Sequence, residues 1–443
     1  MNKNKIIFLI IGAIFLALIL LLVTKLNSES APKTTVQSWD FSIWIFGDSS
    51  SDFNNFLSGF KEAFPSYANK NIIVESFSDR QTYTNALTNA VFSKQAPDIF
   101  MLNNSETSIF ENQILWISPE LVSPNDFRLK FKPVFWEDLI VTDEADQTVE
   151  FLKWVPAWYE ALGIFYNRKY FLRPSEMQTW SDFAKEIRNI SNKYSNIIPI
   201  ALWNGSGVSR VADIISALIV LEWRSSLITT EANQSRQVLA MYNWFGQRDG
   251  DNRYNILSAP FVDDKDIDFF TQGDVAAMIW YPRDLLAIDS VWYQKSFLFA
   301  TPFPRYAWSE NRTSINYDYF SINKDTIHKD MAWAFLSYLA SDEWQQLYVD
   351  TFPYYLSPNV DISLSMSEKK ILPGYNVIYK NFISEDSELV SYNLGNKNIF
   401  DTAIPPMLDI ESWYDQIFTE MSSYINCSST KQNTLLNLSS PCK

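Results

Sequence analysis

The sequence predicts a two-lobed α/β protein carried on one N-terminal transmembrane helix, and three observations lead there. The chain has 443 residues, more than one ordinary domain uses and enough for two lobes that each bury a core. Short β-rich apolar runs alternate with helical patterns, as they do where sheet strands are joined by helical crossovers. Ile6 to Val23 is an unbroken apolar run, with no charge between Lys5 and Lys25.

The apolar run comes first in order. A helix of roughly 18 residues covers about 27 Å, just enough for a bilayer core. Lys3 and Lys5 precede it, and the positive-inside rule keeps that end in the cytoplasm. Residues 1–5 are then a cytoplasmic stub, 6–23 the anchor and 24–37 a polar tether, with everything beyond outside the cytoplasm. The rival is a cleaved secretory signal, whose apolar core is about 7–15 residues long and ends at a small-residue cleavage site. The run here is longer, and Leu26 to Ala31 offers a weak site. The expectation is an uncleaved anchor. No cysteine follows the run, which excludes a lipid-modified one.

The body follows. Phe41–Phe46 reads as a strand, and Phe53, Phe56, Leu57, Phe60 and Phe64 then recur at helical spacing until Pro65. Asn71–Phe77 is a second strand, Arg80–Lys94 a second helix, and Pro97–Leu102 a buried strand. Strands are expected over Ala161–Tyr166, Ile197–Trp203, Val275–Trp280, Phe297–Thr301 and Tyr317–Ile322. Helices are expected over Trp180–Tyr194, capped by Thr179 or Ser181, and over Val211–Trp223, Ala332–Ala340 and Trp344–Val349.

Composition narrows the function classes. The net charge is −15, which repels nucleic acid and anionic lipid and favours neutral or cationic ligands. Aromatic residues are abundant, with 32 Phe, 22 Tyr and 16 Trp, more than a core requires, so some are candidates for a cleft lining. The single histidine, His328, leaves Ser-His-Asp, Cys-His and His-rich zinc chemistry without material. Walker A and GxGxxG patterns are absent. Asp264, Asp266 and Asp268 lack the glycine and distal glutamate of a calcium loop and read as a solvated helix start. No metal or cofactor is expected. The two cysteines, Cys427 and Cys442, are either a disulfide that staples the tail in an oxidising compartment or two unrelated thiols; the anchor favours the disulfide.

Five stretches, in this order, resemble the extracellular solute-binding proteins of family 1, the group that includes maltodextrin- and glycerol-phosphate-type binding proteins of ABC importers. They are Phe41–Phe46 with Phe60–Pro65, Ser93–Phe100, Val155-Pro156 with Leu162–Lys169, Phe270–Met278, and Ala332–Leu336 with Ser341–Trp344. Lys94-Gln95 and Asn316-Tyr317-Asp318 depart from the family's usual Gly-bearing patterns. The resemblance implies a periplasmic-binding-protein fold, type II-like, with three interlobe crossings near Trp154–Pro156, Thr301–Pro304 and Ala340–Gln346. Lobe one would hold 38–154 plus 305–340, and lobe two 156–303 plus 345–443. It also implies a small-molecule ligand, a sugar or oligosaccharide, held by hinge closure and passed to an ABC permease.

Ligands of open α/β sheets bind beyond the carboxyl ends of strands, which nominates Asp48, Asn103, Asn104, Asn204, Ser206, Trp280 and Tyr281. Sugars present apolar faces and a rim of hydroxyls, so they need aromatic platforms beside polar partners, and these loops hold that mixture. The resemblance adds Trp158, Tyr159 and Glu160, and more loosely Tyr354, Tyr355 and Trp413; Tyr317, in the departing stretch near the expected cleft, is a further candidate. Each has a plainer alternative: Asp48 and Asn103 as helix caps, Trp158 and Tyr159 as hinge packing, Trp280 as core. Arg283 reads as a structural ion pair with Asp284 or a neighbour. The rival functions are a membrane-tethered sensor with the same fold and, as the enzyme alternative, a surface glycoside hydrolase with paired carboxylates. No catalytic residue is nominated.

Overall fold

The structure is a computed structural model that describes residues 40–47, 50–143, 145–171, 177–202, 208, 210, 213–214, 217–218, 221, 266–284, 298–306, 312–352, 354–362 and 388–391. Ile6–Val23, the tether, Asp48, Asn204, Ser206, Trp413, Cys427 and Cys442 lie outside them. Among the described residues no helix is long and apolar enough to cross a membrane.

From Phe41 to Asn103 the described residues fold as their pattern predicts. Strand β1 (Phe41–Phe46) leads to helix α1 (Ser50–Ala63), which buries Phe53, Phe56, Leu57 and Phe60 on one face. Strand β2 (Ile72–Phe77) returns parallel to β1. Helix α2 (Arg80–Phe92) starts at Asp79, whose side chain accepts from Thr82 N at 2.7 Å. Its end is a Schellman turn, in which Lys94 N donates to Val91 O and Gln95 N to Ala90 O. Strand β3 (Ile99–Asn103) then pairs parallel to β1 on its other side.

The short strands β4 (Ile114–Leu115), β5 (Ile140–Thr142) and β6 (Glu150–Leu152) precede two long ones. Strand β7 (Val155–Ala161) is buried along its whole length, as is β8 (Gly163–Asn167). They belong to different sheets. Strand β8 is the centre of a three-stranded antiparallel sheet, between β9 (Ala277–Trp280) and β10 (Leu298–Pro302). Strand β7 joins β11 (Arg312–Asn323) in the seven-stranded sheet, where β11 also pairs with β3, β4 and β12 (Glu388–Ser391). The chain thus passes between the sheets within one residue, Leu162.

This differs from the sequence division in two places. Residues 156–161 and 345–351 were expected in lobe two. The first pair with β11, and helix Asp342–Thr351 packs Trp344 onto Phe56 and Phe320, at ring distances of 6.0 and 5.9 Å. Gln345 Nε2 ties that helix to Pro156 O at 3.0 Å. An aromatic residue that fits the core of the large sheet decides where its helix packs. The large sheet is also mixed: β11 runs antiparallel to β3 and β7, whereas alternation of strand and helix predicts parallel pairing alone. Ile198 and Ala201 make isolated parallel bridges to Val275 and Met278, and no longer strand stands there among the described residues.

Lys94 sits at φ 56°, the left-handed region where a Cβ is strained and where glycine usually closes a Schellman turn. Lys94→Gly is expected to raise stability by about 1 kcal/mol after glycine's greater unfolded-state entropy is set against the relieved strain. Guanidinium unfolding of the full-length protein measures it; no gain, or a loss, would show that the turn carries no strain.

Candidate functional site

Strand alternation sorts the candidates. Side chains at successive positions of a strand point to opposite faces. On one face of the β7–β11 pair stand Trp158, Glu160, Asn316 and Asp318; on the other stand Tyr159, Tyr317 and Tyr319. The register opposes Trp158 to Asp318 and Glu160 to Asn316, and it shifts between Asp318 and Tyr319, so that Ala157 is the unpaired residue of a bulge.

The first face carries a buried polar cluster. Asn103 Nδ2 donates to Asn316 Oδ1 and to Asp318 Oδ1, both at 2.8 Å. Asn316 Nδ2 donates to Glu160 Oε1 at 3.1 Å. Arg80 closes one end, with Nη2 on Asp318 Oδ1 at 2.6 Å and Nε 3.7 Å from Glu106 Oε1. Arg283, from the turn after β9 in the smaller sheet, closes the other, with Nη2 3.0 Å from Glu160 Oε1. Beside it Arg210 forms a two-point pair with Asp284 and lies 3.8 Å from Asp213. The cluster therefore spans both sheets through ion pairs.

Aromatic rings surround it. Trp158 stacks on Tyr355 at 4.1 Å and 12°, and a Cβ on Gly47 would stand 3.8 Å from the Tyr355 hydroxyl, which places the end of β1 beside this stack. Gly47 takes φ +81°, the conformation a tight turn after the strand requires. The Tyr281 ring centre lies 5.4 Å from the guanidinium carbon of Arg210 and 5.7 Å from that of Arg283.

Glu160 is fully buried. Burial pushes its carboxyl up to about 7, with Arg283 and Arg210 pulling the other way. Four atoms of the cluster are buried without a hydrogen-bond partner: Glu160 Oε2, Asp318 Oδ2, Trp158 Nε1 and Arg80 Nη1. Other buried atoms of the described residues also lack a partner, among them Trp154 Nε1, Trp344 Nε1 and Tyr338 Oη, but those of the cluster are the ones that belong to carboxylates and a guanidinium. A buried polar atom left unpaired costs about 1–3 kcal/mol, so four in one place mark a site that something else completes.

The structure brings together Asn103, Asn104, Trp158, Glu160 and Tyr281 from the sequence candidates; Asn104 Oδ1 accepts from Tyr317 N at 3.3 Å. Tyr159 and Tyr317 face the other way, against Phe135 at 5.6 and 5.1 Å, and Tyr317 Oη donates to Asp138 at 2.8 Å. Trp280 is 3% exposed and its N–H reaches Asp266 at 3.4 Å. Tyr354 packs partly buried on the core, while its neighbour Tyr355 makes the stack. Sequence reasoning missed Arg80, Arg210, Asn316 and Asp318; it read Arg283 as an ion pair with Asp284 or a neighbour, and the partner is Glu160. Asn316 and Asp318 left a signal: two polar residues two apart in an otherwise buried strand.

No group of three or more His, Cys, Asp or Glu among the described residues is arranged to hold a metal. A separate cavity of about 380 Å³, walled by Trp116, Phe151 and Trp333, lies away from the cluster.

Known proteins bear on this arrangement. Residues 50–346 match the family described as bacterial extracellular solute-binding protein. No curated protein matches the chain in sequence. Among solved structures, an ABC transporter solute-binding protein from Thermotoga lettingae bound with α-D-tagatose is 14% identical, with a TM-score of 0.63 over 87% of this chain and 98% of that one. An ABC substrate-binding protein from Listeria monocytogenes in complex with cycloalternan is 12% identical, with a TM-score of 0.65 over 88% and 99%. The GacH receptor of Streptomyces glaucescens, solved unliganded and with acarbose, is 14% identical, with a TM-score of 0.64 over 87% and 98%. At these identities the likeness carries the fold, which is the two-lobed solute-binding fold of mixed α/β content. The family match spans more than half of the 443 residues, and the chain belongs to the bacterial extracellular solute-binding protein family.

Proposed function

We propose that the protein captures an uncharged sugar or oligosaccharide between its lobes and presents it to the permease of an ABC importer. The observation that carries this reading is the set of unpartnered buried atoms. Two are acceptors, Glu160 Oε2 and Asp318 Oδ2, and two are donors, Trp158 Nε1 and Arg80 Nη1. A hydroxyl both donates and accepts, so a hydroxyl-rich ligand satisfies both kinds. The charges of the cluster disfavour an anion: Arg80, Arg210 and Arg283 stand against Glu106, Glu160, Asp213, Asp284 and Asp318, and an anion would meet that excess of carboxylates. The structural neighbours named for tagatose, cycloalternan and acarbose support the class.

In this reading lobe one is built on the seven-stranded sheet and lobe two on the three-stranded sheet, and a hinge at Leu162 and near Thr301–Pro304 lets them close. Asn103, Trp158, Glu160 and Tyr281 face the ligand, joined by Asp48, Asn104, Asn204 and Ser206 at strand ends, with Tyr159, Tyr317, Trp280 and Tyr354 supporting them. Residues 6–23 hold the protein at the membrane with its binding region outside the cytoplasm, and Cys427 and Cys442 staple the tail. The protein binds and carries out no reaction.

Thermal unfolding of the full-length protein in detergent, against tagatose, cycloalternan, acarbose, peptides and glycerol phosphate, tests the class. A bound sugar at 100 times its Kd should stabilise by about 2.7 kcal/mol; stabilisation by a peptide or by glycerol phosphate alone would replace the sugar. Trp158→Ala removes a ring and an N–H donor and is expected to weaken a sugar by a few-fold to about tenfold, read by calorimetric titration. Unchanged affinity would remove Trp158 from the site.

A further inference from the structure

Arg283 joins the two sheets where the polar cluster is deepest. Its Nη2 lies 3.0 Å from Glu160 Oε1, and Asn316 Nδ2 reaches that same oxygen at 3.1 Å. Both donors converge on Oε1, while Oε2 of the same carboxylate is buried and unpartnered. The guanidinium carbon of Arg283 also stands 5.6 Å from the Trp158 ring centre, so one side chain braces both the acid and the aromatic beside it. Arg210, by contrast, engages both carboxylate oxygens of Asp284.

We propose that Arg283 is the positioning residue of the cleft: it holds Glu160 by one carboxylate oxygen so that the other accepts a hydrogen bond from a ligand hydroxyl. This rests on the sugar-binding reading of the same site. It makes ligand affinity depend on the ionisation of Glu160, and Arg283 sets where that ionisation falls.

The charges around Glu160 fix the sign. The turn after β9 contributes Arg283 and Asp284; the segment before it in sequence contributes Arg210, paired with Asp284 and near Asp213; β11 contributes Asn316 and, two residues along, Asp318. Tyr355 stands near Arg283. Burial raises the carboxyl to about 7, and of the opposing influences Arg283 is the largest, followed by Arg210; Asp284 adds to the rise. The carboxylate is the acceptor, so affinity is full above that value and falls as pH drops through it. Without the cation the midpoint moves up, and affinity is lost at higher pH.

Two measurements on the full-length protein in detergent test this. Calorimetric titration with cycloalternan, acarbose and tagatose should show wild-type affinity falling about tenfold from about pH 8 to about pH 6, and Glu160→Gln should flatten the profile. Carbon-13 NMR of labelled glutamate, with the Glu160 signal assigned from Glu160→Gln, should show the midpoint rising by about one unit or more in Arg283→Met. Arg283→Gln, which keeps a hydrogen-bond donor without the charge, should show the same rise and serves if the Met variant fails to fold. Arg283→Lys should restore most of the wild-type profile. No binding of any of the three sugars at the higher pH sinks the sugar reading itself. Binding with a flat pH profile, or a Glu160 midpoint unmoved in the folded Arg283 variants, overturns the role of Arg283 and leaves that reading standing.

Discussion

A carboxylate buried between two sheets has to be answered by a cation, and here the answer comes from the opposite sheet. Glu160 stands on a strand of the large sheet and Arg283 on the turn after a strand of the small one. Removing one partner of such a pair leaves an uncompensated buried charge, at a cost of about 3–5 kcal/mol. The same logic repeats at Arg80 with Asp318, which is 1% exposed. Both pairs meet through Asn103 and Asn316, so the line from Arg80 to Arg283 is continuous in hydrogen bonds and ion pairs. Buried ion pairs are weak stabilisers against a hydrophobic alternative. Their retention in the middle of an aromatic core therefore fits a binding role better than a stabilising one.

Strand β11 makes this arrangement possible. It pairs with β3, β4, β7 and β12 and so brings Asn103 from the first third of the chain beside Glu160 from the middle. The bulge lies on β7, where Ala157 is left unpaired beside Asp318 and Tyr319; Trp158 and Glu160, two apart and both beyond it, share the polar face by alternation alone. The register shift therefore moves only Val155 and Pro156 against β11.

Much of the fold was legible because it is local. Helical spacing of Phe53, Phe56 and Phe60 and the run from Phe41 to Phe46 each declare one element, and those elements stand where expected. The site was legible only in part. Trp158, Tyr159 and Glu160 all came from a resemblance, which does not separate the two faces of a strand. Once Val155–Ala161 is a strand, period-two alternation excludes Tyr159 from the face of Trp158 and Glu160. Arg80 was invisible because its partner is 238 positions away. Arg283 has an acid next to it in sequence, yet Asp284 is taken by Arg210, 74 positions earlier; adjacency along the chain says little about which charges meet once the backbone has turned.

The distribution of unsatisfied atoms between the sheets has a consequence for closure. Glu160, Asp318, Trp158 and Arg80 all belong to the large-sheet side, whereas the small-sheet side contributes Arg283, Arg210 and Tyr281, whose charges are paired within the cluster. Closure is stabilised by a ligand only through differential contact with the closed arrangement. In the proposed function the sugar is gripped first by the large sheet, and the second lobe acts through Arg283, which reaches the ligand's acceptor rather than the ligand. In that reading, parting of the lobes takes the cation from Glu160 and lets in water. The acid that reads a hydroxyl is therefore correctly held only when the lobes are together, and a ligand that needs it draws them closed.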